Sequence, residues 1–190
     1  MDIALYIFFA IIIILYIWYA IIIARKNKAE EALSGIEVQL RRRHDLIPNI
    51  LKIAQKFMDH EKALIEEVTK LRAQAIDKQE ADSAIDAKEL FALEAQMKSM
   101  MDRLMISVEA YPDLKSDANM LEAQRAYQDT EDNIAASRRF YNAAINSLRN
   151  ATMIFPGMLI AQMAGVKDLP FYEEPDQNIK NPIDAEDFLA

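Results

Sequence analysis

Histidines are the first side chains to consider for metal binding or proton transfer, and this sequence has two, His44 and His60. His60 is followed by Glu61 but then by Lys62, so the spacing of a HExxH zinc motif is absent. The ExxH motif of di-iron bundles is absent as well. There is no cysteine, which excludes disulfides and thiolate metal sites. We therefore predict no metal and no cofactor.

Nucleophilic and phosphate-binding motifs are missing too. The chain has 3 glycines and contains no GxSxG, GxGxxG or P-loop pattern. Acidic pairs such as Glu30-Glu31 and Glu66-Glu67 lie in segments of mixed charge, and neighbouring residues of a helix point apart. Such pairs are typical of solvated faces, so we predict no catalytic residues and no enzyme activity.

The charge distribution separates two parts of the chain. The net charge of −8 argues against nucleic-acid binding, which needs a basic surface. Residues 25–52 carry seven basic and four acidic side chains, whereas residues 53–190 carry 15 basic and 25 acidic ones. The part that follows the first apolar segment is therefore basic, and the distal part is acidic.

Residues 3–24 predict a transmembrane anchor. They contain no charge, glycine or proline, and as a helix they would span about 33 Å, close to the hydrocarbon core of a bilayer. The run is too long for a signal peptide, lacks the polar face of an interfacial helix, and would be unusual as a core helix of so small a domain. Arg25, Lys26 and Lys28 follow it, so the positive-inside rule places the N-terminus outside and the body in the cytoplasm. We expect residues 1–24 to lie in the cell (inner) membrane.

The remaining sequence predicts an all-α body over residues 25–172. Apolar residues recur at intervals of three and four, and breaks are expected at Asp45, Asp77 and Tyr111-Pro112. We predict a stalk helix that continues the anchor, then an antiparallel up-down bundle of three to four helices, with caps at Asp45, Ser83 and Ser116. The predicted segments are 25–44, 46–77, 84–110, 117–150, a short apolar segment 151–166, and a flexible acidic tail 173–190.

Two features permit more than one interpretation. The uncharged stretch 150–166 is interrupted by Pro156-Gly157, so packing against the end of the bundle is favoured over dipping into the membrane. The basic run 41–43 lies about 25 Å beyond the anchor, too far for lipid charge to reach. We expect its arginines to pair with acids of neighbouring helices or to remain solvated, with lipid or partner binding as the alternative.

Three stretches of sequence resemble the LemA family. They are the segments beginning RRRHDLIPNILKIAQ at Arg41 and AYPDLKSDANMLEAQ at Ala110, and the later PFYEEP, and the resemblance covers residues 1–175. The family usually has a tryptophan just before the position of Ser34, where this chain has Leu33. The motif residues on which the resemblance rests, with structural roles expected, are Arg42, Arg43, Asp45, Leu46, Pro48, Asn49, Tyr111, Pro112, Asp113, Tyr141, Asn142, Phe155 and Pro156.

The resemblance implies a membrane-anchored helical bundle with a cytoplasmic body, and it transfers no catalytic residues. Some family members occur beside membrane-protease or membrane-remodelling systems, which is an association and not a mechanism. We predict a non-enzymatic scaffold or interaction protein whose partners are the lipid bilayer and other copies of the chain, with coiled-coil-like packing. The alternative is an adaptor or regulator of a membrane protease or signalling complex, which would have a membrane-protein partner.

Overall fold

In the computed structural model, residues 2–58, 60–80 and 87–172 are described, and within them the secondary structure is entirely helical. The predicted all-α class is thereby confirmed. The helices are α1 (Asp2–Ala54), α2 (Lys62–Glu80), α3 (Ala87–Val108), α4 (Pro112–Lys115), α5 (Ala118–Met153) and α6 (Gly157–Met163). The predicted cap at Ser83 and the predicted acidic tail 173–190 lie outside the described residues.

Helix α1 changes its surroundings along its length. Its side chains are exposed almost without exception from Ile3 to Ile21, and only 6% of its most apolar stretch is buried within the protein. Among the described residues, α1 is the one helix that is both long enough and apolar enough to cross a membrane. Beyond that point the apolar residues recur every three to four positions and are buried on one face, as at Ile22, Ala29, Ala32, Ile36 and Leu40.

The long helices run alternately up and down. Arg72 Nε of α2 donates to the His44 carbonyl and Gln79 Nε2 donates to the Glu37 carbonyl, so α2 returns alongside α1. Helix α5 is antiparallel to α1 as well, because Arg43 meets Glu131 whereas Arg25 meets Ser147. Short connections impose this arrangement on neighbouring helices. The predicted antiparallel bundle is the observed one.

Two apolar cores are stacked along α1. The distal core is built from α1 beyond Ile47, from α2, and from the parts of α3 and α5 that include Met101 and Met120. The core nearer the anchor lies between α1 and α5 and includes Ile36, Tyr141 and Leu148. The distal part is therefore a four-helix bundle, and the part nearer the anchor is a two-helix stalk supported by α6 and the chain that follows it.

The helix boundary predicted at Asp45 differs from the structure, in which α1 continues through Pro48 to Ala54. Proline in a helix interior lacks the N–H that would bond to the carbonyl four residues earlier, here that of His44. Arg72 Nε of α2 donates to this freed carbonyl at 2.7 Å. The chain turns instead after Ala54, where Lys56 N and Phe57 N bond to carbonyls only three residues back.

The later long helices end at Glu80, Val108 and Met153, where the sequence predicts ends at 77, 110 and 150. Asp117, and not Ser116, caps α5 by accepting a hydrogen bond from Met120 N at 3.0 Å. The Ser116 hydroxyl donates to the Pro112 carbonyl instead. The apolar segment 151–166 includes the end of α5, a turn and α6, whose Gly157 and Ala161 are buried.

The interaction between Pro48 and Arg72 can be tested by a double-mutant cycle. Arg72→Met keeps an apolar stem but leaves the His44 carbonyl without its donor, which should lower the free energy of unfolding by about 1–3 kcal/mol. Pro48→Ala restores the N–H at position 48, so the same Arg72→Met change should cost less than half as much in that background. Denaturant unfolding of the full chain in detergent, followed by circular dichroism, measures both. Equal costs in the two backgrounds would contradict the account.

Candidate functional site: a buried charge layer

Charged side chains occupy core positions at one level of the bundle. Arg43 lies between Leu40 and Ile47 on the buried face of α1, at intervals of three and four residues. Glu94 of α3 and Glu131 of α5 lie in phase with the buried faces of their own helices. Because helical residues spaced by three or four share a face, these charges must point into the bundle. We call Arg43, His44, Glu94 and Glu131 the charge layer.

The Arg43 guanidinium joins three helices. Its Nη1 donates to Glu131 Oε1 at 2.8 Å, and its Nη2 donates to Glu94 Oε2 and to the Glu94 carbonyl. The Arg43 and Glu94 side chains are 2% and 1% exposed. A planar guanidinium can hold two carboxylates in this way, which a lysine ammonium does with less geometric precision.

His44 brings a second titratable group into the layer. Its Nε2 lies 2.9 Å from Glu94 Oε1, although the orientation of the two groups falls short of hydrogen-bond geometry. The His44 carbonyl accepts from Arg72, so all four long helices meet at this level.

The electrostatics of the layer follow from its burial. Burial alone would lower the pKa of Arg43, but the negative charges of Glu94 and Glu131 outweigh it and raise that pKa above its ordinary value. Burial and then the charge of Glu131 raise the pKa of Tyr127 as well. Both groups therefore keep their protons at neutral pH, Arg43 charged and Tyr127 neutral. Because all these side chains are shielded from solvent, they can bond to one another more readily than to a solute.

Part of the layer remains unpaired among the described residues. The atoms without a hydrogen-bond partner include Arg43 Nε and His44 Nδ1. Buried polar atoms without partners cost free energy, so the layer is a poor source of stability compared with an apolar one. Its arrangement suits a positional role: only one alignment of three helices lets a single guanidinium meet both carboxylates.

The chain after α6, residues 164–172, covers the stalk, and we call it the strap. Asn142 Nδ2 donates to the Tyr172 carbonyl at 3.0 Å, and Tyr172 N donates back to Asn142 Oδ1 at 2.9 Å. The Tyr141 hydroxyl donates to the Pro170 carbonyl at 2.8 Å. The Tyr172 ring packs against Phe91, and burial raises the pKa values of Tyr141 and Tyr172 to about 12. The strap therefore ties the chain after α6 to α5 and to the start of α3.

The structure distributes the predicted motif residues over separate places and does not gather them into one site. Arg43 lies in the charge layer, whereas Arg42 is exposed. Leu46 and Asn49 line a solvent-open groove of about 570 Å³ between α1 and α5. Asp45 and Pro48 lie on the exposed face of α1. At the distal end Tyr111 precedes α4, whose first two residues are Pro112 and Asp113. Tyr141 and Asn142 bond to the strap, and Phe155 and Pro156 lie in the turn before α6.

The sequence motifs do not identify three residues of these sites, namely Glu94, Glu131 and Tyr172. The signal for the two glutamates is present in the sequence, because each interrupts an apolar stripe in phase, as Arg43 does. No such signal exists for Tyr172, whose contacts depend on the course of the strap. The expectation that the arginines at 41–43 pair with acids holds for Arg43, and Arg42 is solvated. Among the described residues no cluster of metal-ligating side chains was found.

Comparison with known proteins gives two matches. Residues 32–185 match the LemA family. The magnetosome protein MamQ of Magnetospirillum gryphiswaldense is 23% identical over 166 residues, an alignment that covers 77% of this chain. The chain spans 61% of the length of that relative.

Removing the guanidinium should be costly, because it leaves two buried carboxylates facing each other. We expect Arg43→Met to lower the free energy of unfolding by about 3–5 kcal/mol. The matched control Arg42→Met, in an exposed position of the same helix, should change it by less than about 0.5 kcal/mol. Adding Glu94→Gln and Glu131→Gln to Arg43→Met should recover most of the loss. Denaturant unfolding in detergent measures these three variants and the unchanged protein, and equal effects of Arg42→Met and Arg43→Met would refute the role of the layer.

Proposed function

This chain belongs to the LemA family, and on that premise we propose that it is a non-enzymatic, membrane-anchored scaffold that assembles with copies of itself. The observation that carries the proposal is the continuity of α1, which is a single helix from Asp2 to Ala54. Its first part has the length and composition of an anchor, and its second part is the central helix of the body. A body joined to its anchor in this way would hold a fixed height above the bilayer.

The chemistry of the body supports a structural role over catalysis. The charge layer brings titratable groups together, but these are buried and paired with one another. An enzyme site needs such groups to converge on an accessible cavity. The groove that Leu46 and Asn49 line does not contain the charge layer. Positioning helices is the role that the layer fits best.

Exposed apolar side chains outside the anchor support self-assembly. Val38 on the stalk and Ile106 on α3 are 64% and 72% exposed, and Phe140 on α5 is also exposed. Burying such side chains against another copy would remove apolar area from water. Confinement of the chains to one bilayer would raise their effective concentration and so favour weak lateral contacts.

Self-assembly is tested by size-exclusion chromatography with light scattering in a mild detergent. We expect a protein mass at least twice the 21.7 kDa of one chain. Val38→Glu places a charge on the exposed stalk and should lower that mass at a given concentration. The control Ala63→Glu adds the same charge at an exposed position of α2 and should leave the mass unchanged.

Two results would count against the scaffold. A mass of one chain at every concentration would exclude stable self-assembly. Crosslinking in membranes that captures one dominant foreign protein in defined stoichiometry, without self-crosslinks, would favour an adaptor or regulator of a membrane complex instead.

We also propose that the body lies in the cytoplasm and the N-terminus outside. Arg25, Lys26 and Lys28 follow the apolar run, and basic residues next to a span favour the cytoplasmic side. Because the chain has no cysteine, single cysteines report topology directly. We expect a membrane-impermeant maleimide to label Asp2→Cys in intact cells and Ala63→Cys, on the exposed surface of α2, only after permeabilisation. Labelling of Ala63→Cys in intact cells would reverse the orientation.

A further inference from the structure

We propose that residues 150–166, which we call the apolar hairpin, insert into the same bilayer as the anchor and contact lipid with their outer face. This inference rests on the membrane anchorage proposed above and adds a second membrane-contacting element to the chain. The sequence favoured packing against the bundle over contact with the membrane. In the structure, one face of the hairpin packs against α1 and α5, and the other face is exposed.

The two faces of the hairpin differ in burial. Gly157 and Ala161 lie against α1 and α5, and a Cβ atom at Gly157 would come within 1.9 Å of the Ala151 carbonyl oxygen. The outer face is exposed and mostly apolar, with Phe155 75% and Met163 90% accessible, and Gln162 is its exposed polar side chain within α6. Its other large exposed side chains are Met153, Ile154, Met158 and Leu159. Large exposed apolar side chains concentrated in one short segment indicate a surface for a partner or a membrane.

The position of the hairpin along α1 identifies lipid as its partner. A Cβ atom at Gly157 would lie 3.5 Å from Cζ3 of Trp18, so α6 begins beside Trp18. Trp18 is six residues inside the end of the apolar run at Ala24, about 9 Å along the helix axis. If residues 3–24 span the bilayer, the turn before α6 lies inside the hydrocarbon core, beyond the headgroups on the side of the body. The exposed face of the hairpin is thus continuous with the exposed face of the anchor.

Charged residues lie at both ends of the hairpin, at the level expected for the lipid headgroups. Residues 150–166 contain no charged side chain, whereas Arg149 and Asp168 at its two ends form a bidentate ion pair with distances of 2.9 Å. Arg25, the first charge after the anchor, donates to the carbonyl of Ser147 at 2.7 Å. These charges therefore lie near one level, and the uncharged hairpin extends beyond them toward the anchor. This ordering matches a boundary between headgroups and hydrocarbon.

The hairpin backbone at the end of α6 is also compatible with an apolar environment, where unpaired groups are expensive. Gly165 has a φ of 64°, and its N–H bonds to the Gln162 carbonyl. Val166 N bonds to the Ala161 carbonyl at 3.0 Å, which completes a Schellman turn. Near the other end, the Thr152 hydroxyl donates to the Arg149 carbonyl.

Fluorescence quenching by spin-labelled lipids tests the insertion in the full chain. Single cysteines replace Met158 or Met163 on the outer face, Ile13 in the anchor, and Ala63 on the exposed surface of α2, and each carries an environment-sensitive dye. The protein is reconstituted into vesicles of phosphatidylcholine and phosphatidylglycerol that contain acyl-chain nitroxides. We expect the dyes at positions 158 and 163 to show blue-shifted emission and to be quenched several-fold more strongly than the dye at position 63. Circular dichroism confirms that each variant is folded.

The controls separate failure of this inference from failure of the proposed function. Strong quenching at position 13 with none at 158 and 163 would overturn the insertion while leaving the anchor intact. No quenching at position 13 would remove the anchor itself and with it both proposals. A blue shift at 158 and 163 without quenching would place the outer face against another protein chain and also overturn lipid contact.

Discussion

One buried guanidinium fixes how the helices of this protein meet. Arg43 is held by Glu131 of α5 and by both the carboxylate and the carbonyl of Glu94 of α3. Removing these groups from water is expensive, and the cost is recovered only where the geometry of the ion pairs is good. An apolar core tolerates small sliding movements of one helix along another. This layer does not, because the carboxylates of Glu94 and Glu131 must both reach the Arg43 guanidinium. The alignment of α1, α3 and α5 is therefore set by charge, between two cores that supply the burial of apolar surface.

That alignment has consequences far from the layer. From Glu131 to Met153, α5 continues for 22 residues, about 33 Å, antiparallel to α1. The register at Arg43 thereby determines which part of α1 the end of α5 reaches, and the structure places the following turn beside Trp18. The Arg149–Asp168 pair and the strap then hold the returning chain along α5. The height of the apolar hairpin relative to the anchor follows from a polar interaction in the middle of the body.

Much of this architecture could be predicted from sequence because it depends on local patterns. The uncharged run, the spacing of apolar residues and the Tyr111-Pro112 turn give the helical class, the anchor and the order of the long helices. The helix boundary predicted at Asp45 was wrong, because Pro48 breaks a helix unless another group donates to the freed His44 carbonyl. That donor, Arg72, comes from a different helix. The charge layer was partly foreseeable, since its members interrupt apolar stripes in phase. The strap was not, because its contacts join residues some 30 positions apart without periodicity.

Helix α1 is stabilised by two different environments, and the change between them occurs without a break in the helix. Up to Ile21 it is apolar on all sides and needs lipid, whereas from Ile22 it has a single apolar face and needs the packing of α5. A flexible joint at this point would uncouple the body from the bilayer. Here the junction is reinforced instead: Arg25 bonds to the Ser147 carbonyl, and α6 packs beside Trp18. On the proposed anchorage, a tilt of the first part of α1 would be transmitted to the body, which is the mechanical property that the proposed scaffold requires.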